Sequence, residues 1–173
     1  MRTSTYNKKY LNGILNKDMV CVDMTMGNGN DTLFLAKRVK FVYAFDIQVE
    51  AITNTRKKLQ NYDNYRLILD SHDNIDQYVS EGIDVVMFNL GYLPGSESNL
   101  VSKSETTIKA IEKAYQLLKK GGYISIIAYR GHKGGLSEYH AIEKLIKDND
   151  YQVIERYISY TSNTEPILIM IRK

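Results

Sequence analysis

Five times along this chain, a short apolar run with strand-like composition is followed by a segment with helical spacing. The runs lie at residues 19 to 23 (MVCVD), 41 to 45 (FVYAF), 65 to 69 (YRLIL), 83 to 88 (IDVVMF) and 123 to 128 (YISIIA). They are close to continuously apolar rather than alternating, as expected of strands buried on both faces. Helices are expected over 31 to 38, 48 to 60, 73 to 80, 104 to 120 and 136 to 148, the fourth stopped by Gly121-Gly122. A further amphipathic helix is expected over 4 to 16, where Tyr6, Tyr10, Leu11, Ile14 and Leu15 share helical spacing. Strand-helix alternation argues for a parallel sheet with helices on both faces. The ending departs from it. Residues 153 to 160 and 167 to 171 read as strands with no helix between them, so one strand of this terminal pair runs antiparallel. The expected fold is α/β, with a mostly parallel seven-stranded sheet and an antiparallel last strand.

The 173 residues suit a single domain spanning 1–173, with residues 1–17 as an N-terminal element that packs or contacts a partner. No apolar stretch is long enough to cross a membrane, and the first residues lack the apolar centre of a signal peptide. Cys21 is the one cysteine, which removes an intramolecular disulfide and points to the cytoplasm. A net charge of +3 excludes a strongly basic nucleic-acid coat. The distribution still leaves basic clusters able to attract a polyanion: Arg2, Lys8, Lys9 and Lys17, then Arg56-Lys57-Lys58, then Lys119-Lys120. The ordinary reading of each is a solvated face. Apolar strands near the C-terminus fit either a core or a homodimer surface.

Chemistry is concentrated first in the turn after the first strand, Asp23-Met24-Thr25-Met26-Gly27-Asn28-Gly29-Asn30-Asp31-Thr32. Glycines between a strand and a helix let backbone approach a ligand closely. The second strand ends at Asp46, 17 residues after Gly29, where an acid can accept hydrogen bonds from ribose hydroxyls. Gly-x-Gly alone is a weak signal, and Asp31 could simply cap the helix. The dinucleotide fingerprint needs a third small residue, which Thr32 does not supply. Asp23 and Asp31 also bracket the loop with negative charge, which opposes a pyrophosphate and suits a cation. S-adenosyl-L-methionine, with its amino group and sulfonium, fits this charge better than NAD.

The second concentration is Asn89-Leu90-Gly91-Tyr92-Leu93-Pro94-Gly95, at the end of the fourth strand. In a parallel sheet that edge faces the ligand crevice. His132, in Tyr129-Arg130-Gly131-His132-Lys133-Gly134-Gly135, follows the fifth strand on the same edge, although a plain solvated loop fits it equally. His140 falls in a helix and reads as surface. The three histidines and the cysteine have no metal-ligand spacing, so no metal is expected. No Ser-His-Asp set stands out.

The segments VDMTMGNGNDTLFLA, YAFDIQ, SHDNI, FNLGYLPG and YRGHKGG resemble, in order, a small bacterial family known as "putative rRNA methylase". That family belongs to the class I S-adenosylmethionine-dependent methyltransferases. The resemblance covers roughly residues 5 to 173, and GNGNDT together with FNLGYLPG is its most specific part. It implies a Rossmann-like sheet with an antiparallel last strand, in agreement with the pattern above. It implies cofactor contacts from Asp23, Thr25, Gly27, Asn28, Gly29, Asn30, Asp31, Thr32, Asp46, Gln48, Ser71, His72 and Asn89. His72 could instead cap the helix that follows it. Two departures from the family pattern occur: Met24 stands where Ala is common, and Glu165-Pro166 stands where a proline pair is common.

Members of the family are associated with the tRNA wobble base, as tRNA 5-(aminomethyl)-2-thiouridine methyltransferases. The resemblance therefore implies a tRNA partner, met at the anticodon stem-loop, and methylation of the exocyclic amine at position 34. Asn89-Leu90-Gly91-Tyr92 looks like a variant of the Asn/Asp-x-x-aromatic motif of methyltransferases that modify nitrogen. An amide oxygen there can accept N–H from an amine and aim its lone pair, and an aromatic can stack on a base. Asn89, Tyr92 and His132 are the expected catalytic set, with His132 or Tyr129 relaying the amine's proton. An rRNA N-methyltransferase and a small-molecule N-methyltransferase are the rivals. A binding-only module and a nicotinamide oxidoreductase rank below them.

Overall fold

A computed structural model describes residues 1–80, 82–91, 104–159 and 165–173. In chain order it contains α1 (Thr3–Asn12), β1 (Val20–Asp23), α2 (Asn30–Ala36), β2 (Phe41–Asp46), α3 (Val49–Lys58) and β3 (Tyr65–Leu69). A short 3-10 helix, His72–Gln77, precedes β4 (Ile83–Leu90). Then come α4 (Ser104–Leu117), β5 (Leu118–Ala128), α5 (Gly135–Asp148), β6 (Gln152–Ile158) and β7 (Ile167–Arg172). The strands form one seven-stranded sheet in the order β3-β2-β1-β4-β5-β7-β6. The first five run parallel, and β7 is antiparallel to both β5 and β6. The hairpin read at the end of the sequence is therefore present, with its second strand inserted beside β5.

Side chains alternate across the central strands, so each strand feeds two cores. Val86 and Phe88 of β4, with Ile124 and Ile126 of β5, join Ile111 of α4 and Ile142 of α5 on one face. Val85 and Met87, with Cys21 and Val42, meet Leu11 of α1 and Leu35 of α2 on the other. This double burial explains why the sequence shows continuous apolar runs. Cys21 is a fully buried member of the second core, and burial pushes its thiol far above its ordinary range. It packs as a small hydrophobe and is not a nucleophile.

α1 ends at Asn12, with Gly13 at its C-terminus, rather than continuing to residue 16. It is fixed to the sheet. Ser125 of β5 donates its hydroxyl to Asn7 Oδ1 at 2.8 Å, both side chains buried, and Thr3 Oγ1 donates to the Pro166 carbonyl at 3.0 Å. The Tyr6 ring stacks on Tyr157 of β6, centroids 3.8 Å apart.

The largest boundary difference concerns Gly121-Gly122. The pair does not stop α4, which ends at Leu117; it lies inside β5. The pairing of β4 with β5 shifts register there, from Ile83 opposite Leu118 to Val85 opposite Tyr123. Gly121 takes φ 82°. A Cβ on Gly122 would stand 2.9 Å from the Asp84 carbonyl, so glycine is needed for β5 to approach β4 at this irregularity. The helix expected over 73 to 80 is the 3-10 helix, and α3 and β6 are each shorter than read. Among the described residues, no helix is long and apolar enough to cross a membrane.

Candidate active site

Asp23 and Asp46 close β1 and β2, and Asn89 is the last residue but one of β4, all at the same edge of the sheet, the carboxyl ends of its parallel strands. The loop between β1 and α2 extends the sheet for two more residues: Met24 N–H donates to the Met87 carbonyl and Met26 N–H to the Phe45 carbonyl, each at 2.9 Å. It then turns through Gly27 (φ 50°) and Gly29 (φ 73°), left-handed conformations that disfavour other residues. Gly29 has a second reason to be glycine, since a Cβ would sit 2.6 Å from Thr55 Oγ1 of α3. The glycines thus seat the loop against α3. Thr55 donates to the Gly27 carbonyl, Asn54 Nδ2 to Asn28 Oδ1 at 3.1 Å, and Lys58 Nζ to Asn30 Oδ1 at 2.5 Å. Asn28 and Asn30 therefore use their side-chain oxygens on α3.

Asp23 is fully buried. Its Oδ1 accepts Thr25 N–H at 3.1 Å, and its Oδ2 accepts the buried Thr32 hydroxyl at 2.7 Å. Burial, then the negative charges of Asp31 and Asp46, push its carboxyl up to about 7, against the hydrogen bonds that favour the ionised form. Asp46 Oδ2 accepts Gly27 N–H at 2.9 Å, and Oδ1 accepts Gln48 N–H at 3.0 Å. Each of these oxygens keeps a second lone pair for an outside donor. Two adjacent hydroxyls of a ribose are donors of that kind. Three carboxyl groups, Asp23, Asp31 and Asp46, crowd around one loop; their mutual repulsion helps to raise Asp23, and a cationic ligand would relieve it.

The chain after β3 supplies one wall. Ser71 leads into the 3-10 helix, and its hydroxyl bonds Asp73. His72 Nδ1 lies 3.1 Å from the Met24 carbonyl and its ring meets Phe88 edge-on, centroids 5.9 Å apart. A carbonyl only accepts, so Nδ1 carries the proton and Nε2 is left as an acceptor. Burial lowers the proton affinity of the ring and keeps it neutral.

On the other side lies Asn89. Its backbone N–H donates to Thr25 Oγ1 at 2.7 Å, which ties β4 to the glycine loop. Its Nδ2 donates to Asp31 Oδ2 at 3.2 Å, and Asp31 Oδ1 is paired with Lys8 Nζ of α1 at 2.7 Å. Tyr129 follows β5 alongside. Its N–H donates to the Leu90 carbonyl, and a Cβ on Gly91 would lie 3.4 Å from its ring. Burial and the Asp31 charge raise the Tyr129 phenol, so it stays protonated and can donate but is a poor base. The proton relay assigned to Tyr129 above thus has a physical obstacle. His132 packs its ring on Gly135, whose N–H donates to the His132 carbonyl within the turn that starts α5. Tyr92 lies outside the described residues, as do Pro94 and Gly95.

The structure thus brings Asp23, Thr25, Gly27, Gly29, Asp31, Thr32, Asp46, Gln48, His72 and Asn89 to one edge. Lys8, which in the sequence reads as part of a surface charge cluster, reaches this edge through Asp31. The available signal was its position beside Asn7, in the buried Thr3-Asn7-Leu11 stripe of α1.

The family described as "Putative rRNA methylase" matches residues 42–172. A chloroplastic tRNA (mnm(5)s(2)U34)-methyltransferase of Arabidopsis thaliana is 36% identical over 146 residues, 75% of this chain. The chain spans about half, 53%, of the length of that curated relative. A solved rRNA-methylase structure from Clostridium thermocellum superposes with a TM-score of 0.92 at 38% identity, covering 100% of this chain and 98% of that one. A Streptococcus mutans methyltransferase solved in complex with SAH gives 0.90 at 39% identity, with the same coverage. On the strength of the family match and of these full-length structural likenesses, this chain belongs to the rRNA methylase family and has its Rossmann-like methyltransferase fold.

Proposed function

We propose that this protein is an S-adenosyl-L-methionine-dependent N-methyltransferase. In this reading it methylates the exocyclic amine of 5-aminomethyl-2-thiouridine at wobble position 34 of tRNA. The observation that carries it is the join between two chemistries: Asn89, an amide at the end of β4, is bonded through its backbone to Thr25 of the glycine loop. The site residues fit the cofactor chemically. Asp46 offers two acceptor oxygens, and Asp23, its carboxyl raised by the neighbouring acids, would ionise more readily beside a ligand bearing an ammonium and a sulfonium. The neutral His72 ring adds an acceptor and an aromatic face.

S-adenosyl-L-methionine supplies, when bound, an electrophilic methyl group. The chain's task is alignment. Asn89 Oδ1 accepts an N–H from the neutral substrate amine, which leaves the nitrogen lone pair directed away from the amide. Holding reactants in line supplies about 7–11 kcal/mol of a displacement barrier, so positioning is the main catalytic resource of such a site. The Tyr129 phenol, kept protonated, has one O–H to donate and is not the base. The nitrogen gains a methyl group and releases one proton to water.

The tRNA assignment is supported by the Arabidopsis relative, and the ribosomal alternative by the family's description. Nucleoside mass spectrometry separates them. tRNA and ribosomal RNA from a deletion strain are incubated with enzyme and cofactor. A gain of one methyl on the wobble nucleoside is expected; a gain on ribosomal RNA alone, or none, overturns the assignment.

A further inference from the structure

We infer that Asp31 and Lys8 form a positioning pair that dictates which way round the Asn89 amide faces, and so makes its oxygen the group offered to the acceptor amine. The inference rests on the amine-methylating reading above. An asparagine amide has two nearly isosteric ends, and its catalytic use depends on which end meets the substrate. An oxygen aims an amine's lone pair at the methyl group. An NH2 in its place would itself donate to that lone pair and block it.

Asp31 removes the ambiguity. An ionised carboxylate only accepts, so the Asn89 end 3.2 Å from Asp31 Oδ2 has to be Nδ2. Oδ1 is then turned to the other side. Asp31 is itself held. Its side chain is 12% exposed, and Lys8, 32% exposed, takes the other oxygen at 2.7 Å. Lys8 is placed by a helix whose neighbouring Asn7 is buried against Ser125 of β5. The backbone of Asn89 is fixed independently by Thr25. With the main chain anchored on one side and the amide on the other, little rotation about the side chain remains. α1 thereby reaches the reaction centre through Lys8. Neutralising Lys8 therefore perturbs the site as well as any attraction for RNA, whereas Lys9 is exposed.

The test has two arms. In 15N-labelled protein, the side-chain amide signals of Asn89 are assigned by their loss in Asn89→Asp. They are expected to shift in Asp31→Asn, where the ionic acceptor is gone; unmoved signals overturn the inference, whatever the substrate. In the second arm, Asp31→Asn lowers kcat on undermethylated tRNA by about ten- to a hundred-fold, the scale expected of a misoriented group. The double exchange Asp31→Asn with Asn89→Asp restores the polarity, because the carboxylate at 89 now accepts from the amide at 31 and offers its second oxygen to the amine. It is expected to recover kcat by about ten-fold over Asp31→Asn. A role for Asp31 in stabilising α2 alone predicts no such recovery, with the same fall in melting temperature in both variants; that outcome overturns the inference. If wild-type enzyme leaves the wobble nucleoside unmethylated, the proposed substrate fails, and the amide signals still decide the orientation.

Discussion

The glycine loop and the Asn89 edge meet at one site but are held in different ways. The loop between β1 and α2 is locked by its own surroundings: Asp23 takes Thr25 and Thr32, Asp46 takes Gly27 and Gln48, and Gly29 fits against Thr55. Most of these partners lie on the loop itself or on the next two elements. The Asn89 side chain instead depends on Asp31, 58 residues away, and through it on Lys8 of the first helix. The half proposed to hold the ligand is thus organised largely by nearby chain, whereas the half proposed to react is assembled by long-range side-chain contacts. Substitutions in the two halves should then fail differently, with lost binding or stability in one and lost turnover in the other.

The sharpest separation comes from Asn89→Ala. It removes the amine's acceptor and leaves the loop intact, so kcat is expected to fall by about 10²–10³-fold, as for other polar groups aimed at a reacting centre. Calorimetric affinity for S-adenosylhomocysteine should stay close to wild type; a loss of binding equal to the loss of turnover would merge the two halves. Gly29→Ala attacks the other half. It combines a left-handed backbone with a clash against Thr55 and should cost about 1–3 kcal/mol of stability, visible in thermal melts, with weakened cofactor binding.

The charge of the loop gives a third test. Burial raises the Asp23 carboxyl to about 7 from an ordinary 3.8, so the folded protein holds a proton there that the unfolded chain releases. The corresponding stability is full below the ordinary value and is lost as pH rises to about 7. A bound cation favours the ionised form, so the rise in melting temperature on adding S-adenosyl-L-methionine should be larger at alkaline than at mildly acidic pH. Asp23→Asn should flatten both trends, and an unchanged pH dependence in that variant would assign them elsewhere. The smallest effect is expected of Lys8→Met. Breaking this partly buried ion pair should lower kcat about two- to five-fold with cofactor affinity unchanged. A loss confined to KM for RNA would make Lys8 a docking charge only.

The same contrast governs what could be read from the chain. The sheet was legible because burial on both faces forces continuous apolar runs such as Val85-Val86-Met87-Phe88. The glycine loop was legible because its constraints are local: two left-handed turns and an acid at the next strand end. Gly121-Gly122 misled, since a glycine pair after a helix reads as a stop, and only the close approach to the Asp84 carbonyl reveals its use inside a strand. The link from Lys8 through Asp31 to Asn89 has no periodic signature, because it joins three elements far apart in sequence. Asn89 was singled out from its place at a strand end; its orientation needed the fold. The role given to Tyr92 falls outside the described residues.

The proposed reaction is methyl transfer to an amine on the wobble uridine of tRNA. The most direct measurement supplies S-adenosyl-L-methionine with a trideuterated methyl group and tRNA bearing 5-aminomethyl-2-thiouridine, then fragments the recovered nucleosides by mass spectrometry. Label is expected on the exocyclic nitrogen of that nucleoside, and is expected to be nearly absent with Asn89→Ala. Label on a ring carbon, on another nucleoside of that tRNA, or on none would contradict this reaction.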